Sequence, residues 1–172
     1  MLRSSLLLLL SLLTATTLRA DPLAVGAPAP NLTAIDQNGA PVQFADIYAK
    51  GVTLVYFYPK AGTPGCTSEA CSLRDSYDKL SGQGLQIIGV SRDTTAAQKD
   101  FQTKYTLPFT LVADTDGKVA AAFGVPMISG KVPPLASRQS FIVKDGKIAW
   151  TSLHAKTNGS AEEVQKALDG LK

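Results

Sequence analysis

The sequence predicts an α/β domain in which helices flank a central mixed β-sheet, with a β-hairpin at the N-terminal side. Three observations carry that expectation. The runs at 52–58 and 85–91 are apolar and rich in β-branched or aromatic residues, which suits strands buried on both faces. Apolar residues at helical spacing follow each run, as in Leu73, Tyr77 and Leu80. Asp145-Gly146 lies between two short apolar stretches and marks a tight antiparallel hairpin. Strands alternating with helices, then a hairpin and a last helix, give a mixed sheet covered on both sides.

Residues 1–20 read as a secretory leader. Arg3 supplies the positive start, 6–13 the leucine-rich core, and Leu18-Arg19-Ala20 a cleavage site before Asp21. The core is shorter than the roughly 20 residues a membrane span needs. An organellar transit peptide would be richer in Arg and Ser and would lack so compact a leucine core. The expectation is export, to a bacterial periplasm, of a single domain at 21–172. The chain carries 17 basic and 14 acidic residues. Removing Arg3 and Arg19 leaves a net charge near neutrality, which argues for neither nucleic acid nor stable membrane association.

Asn38-Gly39 between 32–35 and 42–44 predicts the first hairpin, and 45–50 a short helical turn ended by Gly51. The stretch from Tyr58 to Cys71 then holds both cysteines, and one helix is expected to run from about Cys66 to Leu80. Asp93 or Thr94 caps a helix to about Tyr105, with Phe101 and Tyr105 facing inward. A short strand at 109–112, a helix at 118–123 and a loop over 125–137 follow. After the Asp145-Gly146 hairpin, Ser160 and Glu163 form a capping box, with Val164, Ala167 and Leu168 inward.

A cysteine at a helix start, fed by a strand and a Pro/Gly turn, is a reactive arrangement. The ordinary thiol is mostly protonated at neutral pH, with a value of about 8.5. The first helical turn aims unpaired N–H groups and the positive dipole end at Cys66, which favours the thiolate. On spacing alone, Thr63 reads first as an ordinary loop or cap threonine and Arg138 as an exposed strand-end arginine, and Pro59 reads as a strand-ending proline. The cysteine pair also reads as a structural disulfide in an oxidising compartment. Two cysteines and the single His154 fall short of a closed zinc site, and His154 reads as a surface residue.

Pro59-x-x-x-Thr63-x-x-Cys66 resembles the active-site signature of peroxiredoxins. Phe57-Tyr58-Pro59-Lys60, Thr63-Pro64-Gly65-Cys66-Thr67, Ala70-Cys71 and Arg74-Asp75 are similar to the PrxQ, or bacterioferritin-comigratory, subfamily. The likeness continues through Ser137-Arg138-Gln139-Ser140. The resemblance implies a thioredoxin-like fold, reduction of hydroperoxides without metal or organic cofactor, and recycling by a thioredoxin-like electron donor. It implies that Cys66 attacks peroxide, that Thr63 and Arg138 orient it, that Pro59 shields the sulfur, and that Cys71 resolves the sulfenic acid into a disulfide. Glu69 and Arg74 are read as helix-surface or supporting residues. A five-residue step on an ideal helix separates the two Cα atoms by roughly 8–9 Å, beyond the ~7 Å reach of a disulfide, so the helix must unwind for the bond to close. A resolving cysteine on the same chain favours a monomer. The alternatives are a thiol–disulfide oxidoreductase, which normally uses Cys-x-x-Cys, and a redox-sensing or copper-handling protein on the same fold.

Overall fold

The computed structural model describes residues 21–131 and 133–171. The leader expected over 1–20 lies outside the described residues. Among the described residues, no helix is long and apolar enough to cross a membrane.

The N-terminal hairpin pairs β1 (Thr33–Ile35) with β2 (Pro41–Gln43), and Gly39 takes the positive φ of 80° that the turn requires. Helix α1 (Phe44–Tyr48) leads to β3 (Thr53–Phe57), every residue of which is buried. The central sheet continues with β4 (Gln86–Ser91), β5 (Thr110–Ala113), β8 (Gln139–Lys144) and β9 (Lys147–Ser152), in the order β5-β4-β3-β8-β9. β3, β4 and β5 are parallel, whereas β8 and β9 run antiparallel to their neighbours. The sheet is therefore mixed, as expected. Asp145 and Gly146 both adopt positive φ between β8 and β9.

Strand alternation sends β3 into two cores. Leu54 and Tyr56 point to one, which is covered by α2 (Pro64–Asp75), α4 (Thr95–Tyr105) and α6 (Ser160–Asp169) through Cys66, Ala70, Leu73, Phe101, Val164 and Leu168. Val55 and Phe57 point to the other, closed by Phe44 of α1 and by Val119 and Ala120 of α5 (Lys118–Ala122). Full cover on both faces explains why β3 and β4 carry no polar alternation.

Three expectations are corrected. The helix after Cys66 is broken, because Ser76 leaves helical geometry at φ −105°, ψ 7°, and the chain restarts as α3 (Tyr77–Ser81). The break lets Tyr77 and Leu80 follow the curved surface of the same core that Leu73 enters. The loop over 125–137 contains a small ladder, β6 (Met127–Ile128) with β7 (Leu135–Ala136). The capping box is absent. Gly159 takes the cap position at φ 76°, Ser160 is buried inside the helix, and Glu163 instead accepts from the Ser152 hydroxyl and the Lys156 N–H. A glycine in the left-handed region offers the turn at no side-chain cost, so the Ser160–Glu163 spacing has no cap to serve.

Candidate active site

β3 delivers the chain to Tyr58, which is fully buried, and Pro59 ends the strand. The turn that follows needs Gly62 at φ 73°. Thr63 is the N-cap residue in extended geometry, and Pro64 occupies the first helical position, where its missing N–H costs nothing. Thr63 does not cap with its side chain. Its hydroxyl donates to Lys60 O at 2.9 Å, which leaves the oxygen lone pairs to accept from another donor. Cys66 is the third residue of α2, among the unpaired N–H groups of the first turn.

Cys66 is 1% exposed. Arg138, immediately before β8, donates to its sulfur from Nη2 at 3.2 Å. The other terminal nitrogen, Nη1, donates to Glu69 Oε2. Glu69 has no exposed surface, so its reading as a helix-surface residue is corrected. The signal was present in the sequence: Glu69 lies three residues after Cys66 and four before Leu73, on the same inward stripe. Burial pushes the Glu69 carboxyl up to about 8, against the opposing pull of Arg138. Burial also works against the Arg138 charge, but Glu69 and Cys66 more than offset it. Gly65 packs closely under Thr157, since a Cβ there would lie 3.2 Å from Thr157 Cγ2, whereas Arg138 Nη2 at 3.6 Å would be in ordinary contact.

Pro59 and Thr63 line a groove of about 520 Å³ together with Asp93, Ala97, Pro133 and Leu135. Cys66 and Arg138 are not part of its lining. The structure thus brings Cys66, Arg138 and Glu69 into one bonded group and places Pro59 and Thr63 at the adjoining groove. The expectation that the 125–135 stretch borders this space holds for Pro133 and Leu135.

Cys71 is partly buried on α2, and both cysteines are free thiols within one continuous helix. Arg74 donates to Tyr105 O at 2.8 Å and pairs with Asp75. His154 is exposed. Among the described residues, no group of three or more His, Cys, Asp or Glu side chains is placed to hold a metal ion. Sequence reading also missed Ser91 and Gln98, two fully buried polar residues behind the loop, and Asp93, whose carboxylate reaches the Ala61 N–H. Buried Gln has no periodic signature that distinguishes it from an exposed one.

Residues 25–151 match the AhpC/TSA family. The chain is 44% identical over 125 residues to the chloroplastic peroxiredoxin Q of Arabidopsis thaliana, covering 72% of this chain and 56% of that protein. It is 38% identical over 146 residues to a Coxiella burnetii peroxiredoxin named bcp, covering 83% and 96%. Peroxidoxin BcpB from Mycobacterium tuberculosis shares the fold with a TM-score of 0.79 at 28% identity, over 86% of this chain and 97% of that one. The chain spans little more than half the length of the plant relatives that it matches.

Proposed function

The chain belongs to the AhpC/TSA family, and on that premise we propose that it is a thiol-dependent peroxidase of the peroxiredoxin Q kind, acting on hydrogen peroxide and organic hydroperoxides. The observation that carries this reading is the Arg138 Nη2 to Cys66 Sγ contact at the start of α2. A fixed guanidinium and the helix N-terminus both stabilise negative charge on sulfur. The Cys66 thiolate attacks one peroxide oxygen. An S–O bond forms, the O–O bond breaks, and the second oxygen takes up a proton and leaves as water or alcohol. Thr63 accepts a hydrogen bond from the peroxide hydroxyl, and Pro59 shields the sulfur from bulk water.

Cys66 is then a sulfenic acid, and the Cys71 thiol condenses with it, releasing water and forming a disulfide. Because both cysteines lie within α2, its first turns must open for that bond to close. A thioredoxin-like dithiol returns both cysteines to thiols. No metal or organic cofactor takes part. The functional unit in this reading is a monomer.

The test is stopped-flow mixing of the reduced protein with equimolar hydrogen peroxide or cumene hydroperoxide. Loss of thiols within seconds supports the reading. Thiol loss no faster than that of free cysteine under the same conditions opposes it, and rapid reduction of a protein disulfide instead favours the oxidoreductase alternative.

The leader at 1–20 supports export with removal of that segment before Asp21. The plant relatives, named as chloroplastic, favour a second reading in which 1–20 belongs to a plastid address. Expression in a bacterium separates the two. A periplasmic product beginning near Asp21 supports secretion, and a cytoplasmic product that keeps 1–20 opposes it.

A further inference from the structure

Asp93 follows β4 and reaches back to the loop ahead of Cys66. Its Oδ2 accepts from the Ala61 N–H and from the Ser91 hydroxyl, each at 2.7 Å. Ser91 Oγ accepts in turn from Gln98 Nε2 at 2.9 Å. Gln98 Nε2 also donates to Val112 O at 2.9 Å, and the Gln98 carbonyl oxygen accepts from the Tyr58 hydroxyl. Tyr58, Ser91 and Gln98 have no exposed surface. One bonded chain therefore runs from β5 through α4 and the end of β4 to two points of the loop: Tyr58, just before Pro59, and Ala61, two residues before Thr63.

Burying three polar side chains between a sheet and a helix costs stability unless every group is paired. Leucine at 98 would fill a similar volume without that requirement. A fully satisfied polar network gives rigidity in return. Tyr58 N donates to Val90 O at 3.1 Å and ties the start of the loop to the sheet, whereas the bonds within the turn that follows, from Thr63 N and Thr63 Oγ1 to Lys60 O, are local and do not fix it there. Asp93 supplies that attachment. It is not needed as a helix cap, because Thr94 already accepts from Ala97 N at 3.3 Å.

We infer that Asp93 is a positioning residue. Through Ala61 it sets where Pro59 and Thr63 stand relative to Cys66, and so it orients the peroxide without touching the sulfur. The inference rests on the peroxidase reading. An error of about 1 Å in such placement costs on the order of 100-fold in rate. Alkylation of Cys66 needs no aligned O–O bond and should be indifferent to the loop.

The experiment compares wild type, Asp93→Ala and Asp93→Asn, each also with Thr63→Ala, by stopped-flow oxidation with hydrogen peroxide and by iodoacetamide alkylation of the reduced protein. Circular dichroism checks folding, and Asp93→Ser, whose hydroxyl is too short to reach Ala61, replaces the alanine variant if that one does not fold. Asp93→Ala should slow peroxide oxidation roughly 10- to 100-fold. Its alkylation rate should stay within about 2-fold of wild type. Asp93→Asn keeps an oxygen for both donors and should restore the rate to within about 3-fold. In the Thr63→Ala background the Asp93→Ala effect should largely vanish. Equal peroxide rates in wild type and Asp93→Ala, an equal loss of alkylation, or an undiminished effect without Thr63 would overturn the inference alone. Wild-type thiols inert to peroxide would overturn the peroxidase reading and this inference with it.

Discussion

Glu69 holds Arg138 from one turn beyond Cys66 on the same helix, so the guanidinium that donates to the sulfur is fixed by the element that carries the sulfur. The side chain of Arg138 is 18% exposed and that of Glu69 is fully buried. A pair this sheltered keeps its geometry at high salt, where an exposed pair would be screened.

Arg138→Lys should fail to replace arginine. Its single ammonium cannot donate from two separate nitrogens to Cys66 and Glu69 at once. The second-order rate with hydrogen peroxide should fall on the order of 100-fold in stopped-flow oxidation, with Arg138→Ala no better. Arg138→Ala also leaves Glu69 buried without its partner. At neutral pH the raised carboxyl holds its proton, so what is lost is a buried hydrogen-bond partner, and the denaturation midpoint should drop by an amount equivalent to about 1–3 kcal/mol.

Glu69→Gln should change how stability depends on pH. Burial raises the Glu69 carboxyl from 4.5 to about 8, so the folded state holds that proton more tightly than the unfolded chain does. The resulting stabilisation is fully present below the unfolded value and is lost as pH rises through the folded one. Wild type should therefore lose stability relative to Glu69→Gln between about pH 5 and pH 9 in urea denaturation. Asp114, which burial also raises, is common to both chains and cancels in the difference. A difference that does not change with pH would remove Glu69 as the cause.

Gly89→Ala tests the packing behind the site. A Cβ at this position in β4 would lie 2.8 Å from Leu111 Cδ2 and from the Tyr56 ring. Tyr56 stacks on Tyr58 with ring centroids 5.4 Å apart, so the strain passes toward the loop. The substitution should cost about 1–3 kcal/mol in urea denaturation. It should also slow peroxide oxidation, whereas an unchanged midpoint would mean the core yields without cost.

The parts of the fold that the sequence made legible are those where one residue type has one physical solution. Asn38-Gly39 and Asp145-Gly146 turn where positive φ is required, and Thr53–Phe57 is buried on both faces because its residues are β-branched, aliphatic or aromatic throughout. Cys66 stands at a helix start, as its Pro-Gly approach suggested. The capping box failed because Ser160 and Glu163 have the right spacing but Gly159 offers a competing local solution. The stripe with Cys66 and Leu73 marks Glu69 as facing inward, but what Glu69, Asp93 and Gln98 bond to was illegible for another reason. Their partners lie 69, 32 and 40 positions away in the chain, at Arg138, Ala61 and Tyr58, and no local pattern encodes such a contact.

Cys71→Ser should separate the two halves of the chemistry. In the proposed chemistry peroxide attack falls on Cys66 without Cys71, so the first oxidation should keep its rate within about 2-fold of wild type. Turnover with a thioredoxin-like reductant should fall to background. The stranded sulfenic acid should pass to sulfinic acid at lower peroxide, seen by intact mass as two added oxygens.

The most direct measurement is peptide-resolved hydrogen exchange on reduced protein and on protein treated with one equivalent of hydrogen peroxide, with intact mass and disulfide mapping of the same samples. The oxidised chain should be two hydrogens lighter, with Cys66 bonded to Cys71, and protection should be lost across Pro64–Asp75 while β3 and β4 keep theirs. An oxidised protein with both thiols free, or a Cys66–Cys71 bond with α2 still fully protected, would contradict the account.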